Sequence, residues 1–254
     1  MCEGVSMAKI KLISDIHIDY EADHGLAFID SLPSDDTDIL VLAGDVVTDG
    51  HLGNYYDTFK ALCDKFDQVL YVLGNHDHYQ HTIEETFTIA SNFQATLSNF
   101  HWLQNERRNI KGVNFVGATL WFPKCTVYSG WPDFRYVKSS PEDIFAENEK
   151  TKKFLLENVH EGDFVVTHHL PSAKCIAAQW QGSRSNCYFN GDVDNIILEK
   201  KPRYWAFGHT HESRHMIIGD TELFCNPRAY PHEQHSCGFR SDLIIDTELE
   251  KKYT

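Results

Sequence analysis

The chain has 254 residues, 42% hydrophobic and 24% charged, which suggests one large domain or two small ones with a sizeable core. A formal charge of −14 and a pI near 5.4 argue against a general binder of nucleic acid or anionic membrane, because such partners are met by clustered Lys and Arg, and a phosphate ligand would need local positive charge such as metal ions. Seven cysteines without a C-x-x-C pair read as reduced intracellular thiols, and with no membrane-length apolar run and no signal-peptide core (Lys9 and Lys11 interrupt the first apolar stretch) the expectation is a soluble, cytoplasmic protein.

Residues 1–7 carry no pattern and read as an extension outside the fold. Five short apolar runs then each end in a polar cluster. "KIKLIS" leads into Asp15-Ile16-His17, "DILVLA" into Gly44-Asp45, and "QVLYVL" into Gly74-Asn75-His76-Asp77. Further on, "DFVVT" leads into His168-His169, and "RYWAF" into Gly208-His209-Thr210-His211. Continuous runs of this length, rich in Val, Ile and aromatics, fit strands buried on both faces. Between them lie helical patterns. Tyr55, Phe59, Leu62 and Phe66 recur at three- and four-residue steps in Asn54–Phe66, and Ser140, Pro141 and the acidic residues after them form a helix start. After His211, "HMIIGDTELFCNP" and "DLIIDT" read as shorter strands around a Gly219-Asp220 turn that close a second sheet. Alternating strands and helices give an α/β protein of two packed sheets with helices outside.

Open α/β sheets place ligand sites beyond the carboxyl ends of their strands. The five clusters are therefore expected to converge: Asp15, His17, Asp45, Asn75, His76, one of His168 and His169, His209 and His211. Mixed imidazole, amide and carboxylate donors suit Zn, Mn or Fe, and so many of them suit two ions better than one tetrahedral ion. Paired ions generate hydroxide and clamp an in-line displacement at phosphorus. In Asp15-x-His17 and His209-x-His211, extended backbone would point both side chains to one site. Gly74 would allow a tight turn, Asn75 offers its amide oxygen to a metal, and His76 faces substrate as an acid oriented or charge-stabilised by Asp77.

These motifs, in this order over Lys9 to His211, resemble the calcineurin-like metallophosphoesterase family. The resemblance implies a four-layer α/β/β/α sandwich of two mixed sheets flanked by helices, one domain over 1–254, and a dimetal centre. It assigns Asp15, His17 and His211 to one ion, Asn75, His168 and His209 to the other, and Asp45 to both. His168 is preferred over His169 because it directly follows "FVVT". The implied activity is hydrolysis of a phosphomonoester or phosphodiester by a metal-bound hydroxide, with His76 aiding the leaving group. A metal-binding scaffold without turnover is the alternative, and a nuclease of the same fold is disfavoured by the acidic charge. "GDVVTDGH" lacks the arginine of the family's Ser/Thr protein phosphatases, and Asp77 stands where they carry glutamate, so the chain looks closer to compact bacterial or phage-like members.

Residues 121–138 and 177–192 are irregular, aromatic and marked by Gly and Pro, and read as loops that shape a pocket. There Arg135 or Arg184 would meet a phosphate oxygen and Trp131 or Trp180 a base, against the simpler reading that the aromatics anchor the loops; "CNPRAYP" reads as a structural turn, with Arg228 near the site as the alternative. The expected partner is a small phosphate ester, a nucleotide included.

Overall fold

The computed structural model describes residues 8–247; the expected extension at residues 1–7 lies outside them. In chain order the elements are β1 (Lys9–Ile13), α1 (Leu26–Ser31), β2 (Ile39–Ala43), α2 (Tyr56–Lys65), β3 (Gln68–Val72), α3 (Ile83–Thr96), β4 (Phe100–Trp102), β5 (Glu106–Ile110) and β6 (Val113–Ala118). There follow α4 (Pro132–Tyr136), α5 (Pro141–Asn158), β7 (Phe164–Thr167), α6 (Asp194–Lys200), β8 (Tyr204–Phe207), β9 (Arg214–Ile218), β10 (Thr221–Cys225) and β11 (Ile244–Asp246).

The strands form two mixed sheets, in the orders β11-β1-β2-β3-β4 and β5-β6-β7-β8-β10-β9. The central runs are parallel, and the register keeps their ends level: Ala43 lies opposite Val72, and Ala118 opposite Thr167. The two sheets bury their inner faces against each other through Ile10, Val41 and Leu70 on one side and Phe115, Phe164 and Phe224 on the other. Each such side chain contributes about 1.5–3 kcal/mol by leaving water. Helices cover the outer faces. Phe59 and Leu62 of α2 lie on the first sheet with Tyr55 and Phe66, and Leu155 of α5 with Ile197 of α6 on the second. The sandwich expected from the motifs is the fold observed.

Ser140 caps α5 as the sequence indicated, its side chain accepting from the Asp143 amide while the Asp143 carboxylate accepts from the Ser140 amide. Three elements differ from expectation. The segment preceding α2 is a 3-10 turn over Leu52–Tyr55, so the α-helix itself begins at Tyr56. "DLIIDT" does not complete the second sheet: β11 pairs antiparallel with β1, Ile10 opposite Ile245. Asn226 explains this return, since its amide donates to the carbonyls of Leu12 (2.8 Å) and Arg240 (2.9 Å) and ties the connecting loop to the open edge of the first sheet. Finally, the stretch 121–138 is not merely a surface loop. Trp121, Phe122 and Val137 are buried in a cluster with Ile83, Ile144 and Tyr188. No helix among the described residues is long and apolar enough to cross a membrane.

Candidate metal centre

Because the parallel strands end level, their exits meet. Asp15 follows β1, Asp45 follows β2, Asn75 and His76 follow β3, His168 follows β7, and His209 and His211 follow β8. The glycines before these residues are required by close approach. A Cβ on Gly74 would lie 2.0 Å from Asp45 Oδ1, and one on Gly44 would lie 2.2 Å from His168 Nδ1. Gly74 does not have the positive φ that a tight turn would use; the packing of Asp45 against it is what excludes a side chain.

The D-x-H and H-x-H pairs do reach one site, but not through extended backbone. Asp15, His17, Asp45, His209 and His211 all have positive φ, of 50°, 46°, 53°, 69° and 48°. Non-glycine residues in this region are uncommon and are held there only by their surroundings. The restraints are visible: the His209 amide donates to both Asp15 carboxylate oxygens at 3.0 and 3.2 Å, and the His76 amide donates to Asp45 Oδ1 at 2.9 Å.

The donors fall into two groups, Asp15 with His17 and His211, and Asp45 with His168 and His209, the ligand atoms within each lying within 4.8 Å of one another. Asn75 joins the second group, its Oδ1 3.0 Å from His168 Nε2. Inward and outward nitrogens are distinct. His17 Nε2 and His211 Nε2 face each other at 3.2 Å. Their outer Nδ1 atoms are taken by Thr48 Oγ1 (2.8 Å) and by Glu233 (2.7 Å). His168 likewise turns Nδ1 to the Ala43 carbonyl (2.9 Å) and Nε2 inward. An outer partner of this kind fixes the tautomer and leaves the inner lone pair for a metal. The Asn75 amide is oriented in the same way, since its Nδ2 donates to Asp133 Oδ1 at 2.8 Å. Two groups of oxygen and imidazole donors, with His17, His211, His168 and Asn75 held from behind, fit divalent ions of the Mn, Fe or Zn type.

The electrostatics of the protein without ions point the same way. Burial alone would raise Asp45, yet the imidazoles of His168 and His76 hold it well below the usual carboxylate range. Burial pulls His168 down, but Asp45 outweighs it and raises the imidazole to about 9; His211, opposed by burial too, is raised to about 10 by Asp15 and Glu233. His17 and His209 are held well below the ordinary histidine value, chiefly by burial. Protons thus sit between carboxylates and imidazoles where divalent cations would compete for the same lone pairs.

Asp77 does not orient His76. The 3-10 turn His76–His78 swings it inward, and its carboxylate accepts from the amides of Gly74 (2.8 Å), Asp45 (2.9 Å), Val46 (3.1 Å) and Val47 (3.1 Å). It holds the turn that carries Asp45, and burial together with the Asp45 charge raises it to about 7. His76 is held elsewhere: its Nδ1 lies 3.3 Å from the Thr48 carbonyl and its Nε2 3.1 Å from the Tyr230 hydroxyl. His169 faces the interior, with Nδ1 3.3 Å from the Thr119 carbonyl, and His78 packs on Phe87 and Trp121. Arg228 approaches the backbone of the site, Nη1 lying 3.5 Å from the Ile16 carbonyl between Asp15 and His17, but it does not line the cavity, being paired with Glu21 and lying 3.9 Å over the Phe28 ring.

Asp133, Tyr230 and Glu233 were not among the residues the sequence singled out. Tyr230 stacks on His17 at 4.4 Å and its neighbour in the loop, Glu233, backs His211. Both follow β10, a sixth strand whose exit reaches the site, but "CNPRAYP" directly after the strand carries no acidic or imidazole residue to mark it. Asp133 came within the stretch read as pocket-shaping, but nothing local in "WPDF" points to Asn75.

A cavity of about 350 Å³ opens over these groups, with Asp45, His76, His209 and His211 at one end. Trp131, Ile176, Trp180 and Phe189 also line it, Phe189 with its ring 4.5 Å from that of His209, together with Ser185 and Asn186. Arg135 and Arg184 do not line it; Arg135 lies over the Tyr136 ring instead.

Comparison with known proteins places this geometry. The model of the calcineurin-like phosphoesterase family matches residues 8–213. An uncharacterized protein, L509, of Acanthamoeba polyphaga mimivirus is 23% identical over 281 residues, covering 96% of this chain and 99% of that protein. Among solved structures, the phosphopantetheinyl hydrolase PptH of Mycobacterium tuberculosis superposes with a TM-score of 0.78 at 14% identity, over 98% of this chain and 99% of that one. At that identity the likeness is one of fold.

Proposed function

Since the chain belongs to the calcineurin-like phosphoesterase family, we propose that it is a dimetal-dependent hydrolase of a small phosphate ester. The observation that carries this reading is the pair of pre-oriented donor groups opening on one cavity. Asp15, His17 and His211 would hold one divalent ion, Asn75, His168 and His209 the other, with Asp45 shared, the ions being Mn, Zn or Fe. Such ions supply Lewis acidity toward a phosphoryl oxygen and lower the pKa of water at the site.

The chain's own groups do the rest. Thr48, Ala43, Asp133 and Glu233 hold His17, His168, Asn75 and His211 from behind, so these four ligand atoms need little reorganisation when substrate arrives. His76 presents its imidazole to the cavity. With Nδ1–H donated to the Thr48 carbonyl, Nε2 is the atom that exchanges a proton with the departing ester oxygen, and the Tyr230 hydroxyl is its partner meanwhile. Asp77 keeps the Asp45 turn in place. The free cysteines among the described residues fit a cytoplasmic setting.

The test is hydrolysis of bis-p-nitrophenyl phosphate and p-nitrophenyl phosphate by chelator-stripped protein, with Mn, Zn or no metal restored, beside Asn75→Ala. The expected result is metal-restored turnover, with the variant at least about tenfold slower at limiting metal. Stoichiometric metal binding without turnover of any ester would favour a metal-binding scaffold instead.

A further inference from the structure

The cavity's far wall contains information about the substrate that the metal end does not. No Lys or Arg side chain lines the cavity among the described residues, and Asp45 and Glu233 add negative charge at its metal end. Every positive charge available to a substrate there is therefore a metal ion or an imidazole beside one. The rest of the lining is mostly aromatic and aliphatic, with Ser185 and Asn186 as uncharged polar members. A second or third phosphate lying against this wall would meet no cation there, and a charge partly removed from water without a partner is disfavoured.

Two tryptophans, one from each irregular stretch, shape that wall. Trp180 leaves 59% of its surface exposed, although it borders a cavity rather than the outer surface alone. Its backbone carbonyl accepts from the Asn186 side chain at 2.9 Å and from the Ser183 amide at 3.0 Å, and Gln181 Nε2 donates to the Ile176 carbonyl at 2.8 Å. The loop is thus fixed by polar contacts, and the indole has no ring partner among the described residues. Trp131 is held differently: it stacks on Tyr188 at 4.2 Å and donates from Nε1 to Asp133 Oδ2 at 2.9 Å. Asp133 Oδ1 is the acceptor that orients Asn75. One carboxylate therefore ties the aromatic wall to the metal end.

Resting on the phosphoesterase reading above, we propose that this cavity takes the organic substituent of the ester as an uncharged aromatic or apolar group packed against Trp180 and Trp131, and that it discriminates against nucleoside polyphosphates. The group next to the phosphoryl centre is then recognised by stacking and burial, and the phosphate alone by the metal end.

The experiment uses p-nitrophenyl diesters that release the same p-nitrophenolate and differ only in the second substituent, phenyl or methyl, with the metal-loaded full chain, and ATP as competitor. Equal leaving groups keep the intrinsic chemistry close. The expected result is a kcat/KM for the phenyl diester at least about tenfold above that for the methyl diester, carried by KM, with ATP a poor competitor. Trp180→Ala should abolish the preference by raising KM for the phenyl diester, and Trp180→Phe should restore most of it. A parallel measurement needs no turnover: quenching of tryptophan fluorescence by phenylphosphonate against methylphosphonate. Absence of hydrolysis with every ester would defeat the phosphoesterase reading, while stronger quenching by phenylphosphonate, lost in Trp180→Ala, would still uphold the aromatic site. Equal treatment of phenyl and methyl in both measurements, or ATP competing better than the phenyl diester, would overturn the proposal.

Discussion

Replacing Asp133 tests whether the loop at 121–138 acts on the metal end rather than merely packing beside it. The carboxylate is buried and accepts three bonds, from Asn75 Nδ2 (2.8 Å), the Tyr79 hydroxyl (2.9 Å) and Trp131 Nε1 (2.9 Å). In Asp133→Asn one oxygen remains as acceptor and an NH2 faces at least one donor. A hydrogen bond to a charged acceptor contributes about 1.5–3 kcal/mol and a neutral one about 0.5–1.5, so Asn75 loses on the order of 1–1.5 kcal/mol of orienting energy. About tenfold in affinity for the ion at Asp45, His168 and His209 is the expected loss, and up to about 100-fold in Asp133→Ala, where only the Tyr79 hydroxyl, at 3.4 Å, still faces the amide. Competition with a chromophoric chelator would resolve two stepwise affinities, with near-UV circular dichroism as the check on folding. Only one of them should fall. If folded Asp133→Ala binds both ions with wild-type affinity, the positioning role is wrong.

Three further outcomes follow from the geometry. Gly74→Ala forces a Cβ to 2.0 Å from Asp45 Oδ1 and should cost about 3 kcal/mol, lowering Tm by roughly 6–12 °C in calorimetry; an unchanged Tm would mean that the turn yields freely. His78 is buried and its imidazole is pushed down to about 3, chiefly by burial, so below pH ~6.5 the unfolded chain takes up a proton that the folded one does not. Wild type should therefore lose stability relative to His78→Phe by about 1.4 kcal/mol per pH unit from 6.5 toward 3, read from urea midpoints; parallel curves would contradict this. Tyr230→Phe removes the hydroxyl from His76 Nε2 and should lower kcat by about two- to tenfold while metal stoichiometry stays unchanged; loss of metal instead would assign Tyr230 to the ligand shell.

The strand exits were legible because each apolar run ends abruptly in residues that a parallel sheet cannot bury without purpose, and Asp15, Asp45, Asn75, His168 and His209 all emerge at one level once the register is set. Local geometry was not legible. Alternation suggested extended D-x-H and H-x-H pairs, whereas those residues adopt left-handed backbone, a choice made by tertiary hydrogen bonds and not by propensity. The adjacency of His76 and Asp77 suggested a couple, but across a 3-10 turn Asp77 accepts from the backbone amides of Gly74, Asp45, Val46 and Val47 while His76 meets Thr48 and Tyr230. Asp133, Tyr230 and Glu233 act on residues 58, 154 and 22 positions away, separations at which a single sequence carries no pairing signal. β11 joined the first sheet for a similar reason, since its partner edge was set by Asn226 and not by its own pattern.

The most direct measurement is turnover of bis-p-nitrophenyl phosphate as Mn or Zn is titrated into metal-free protein, with bound metal counted at each point by equilibrium dialysis. The dimetal account predicts two ions per chain and activity that rises with the second equivalent. Full activity at one equivalent, or turnover without bound metal, would contradict it.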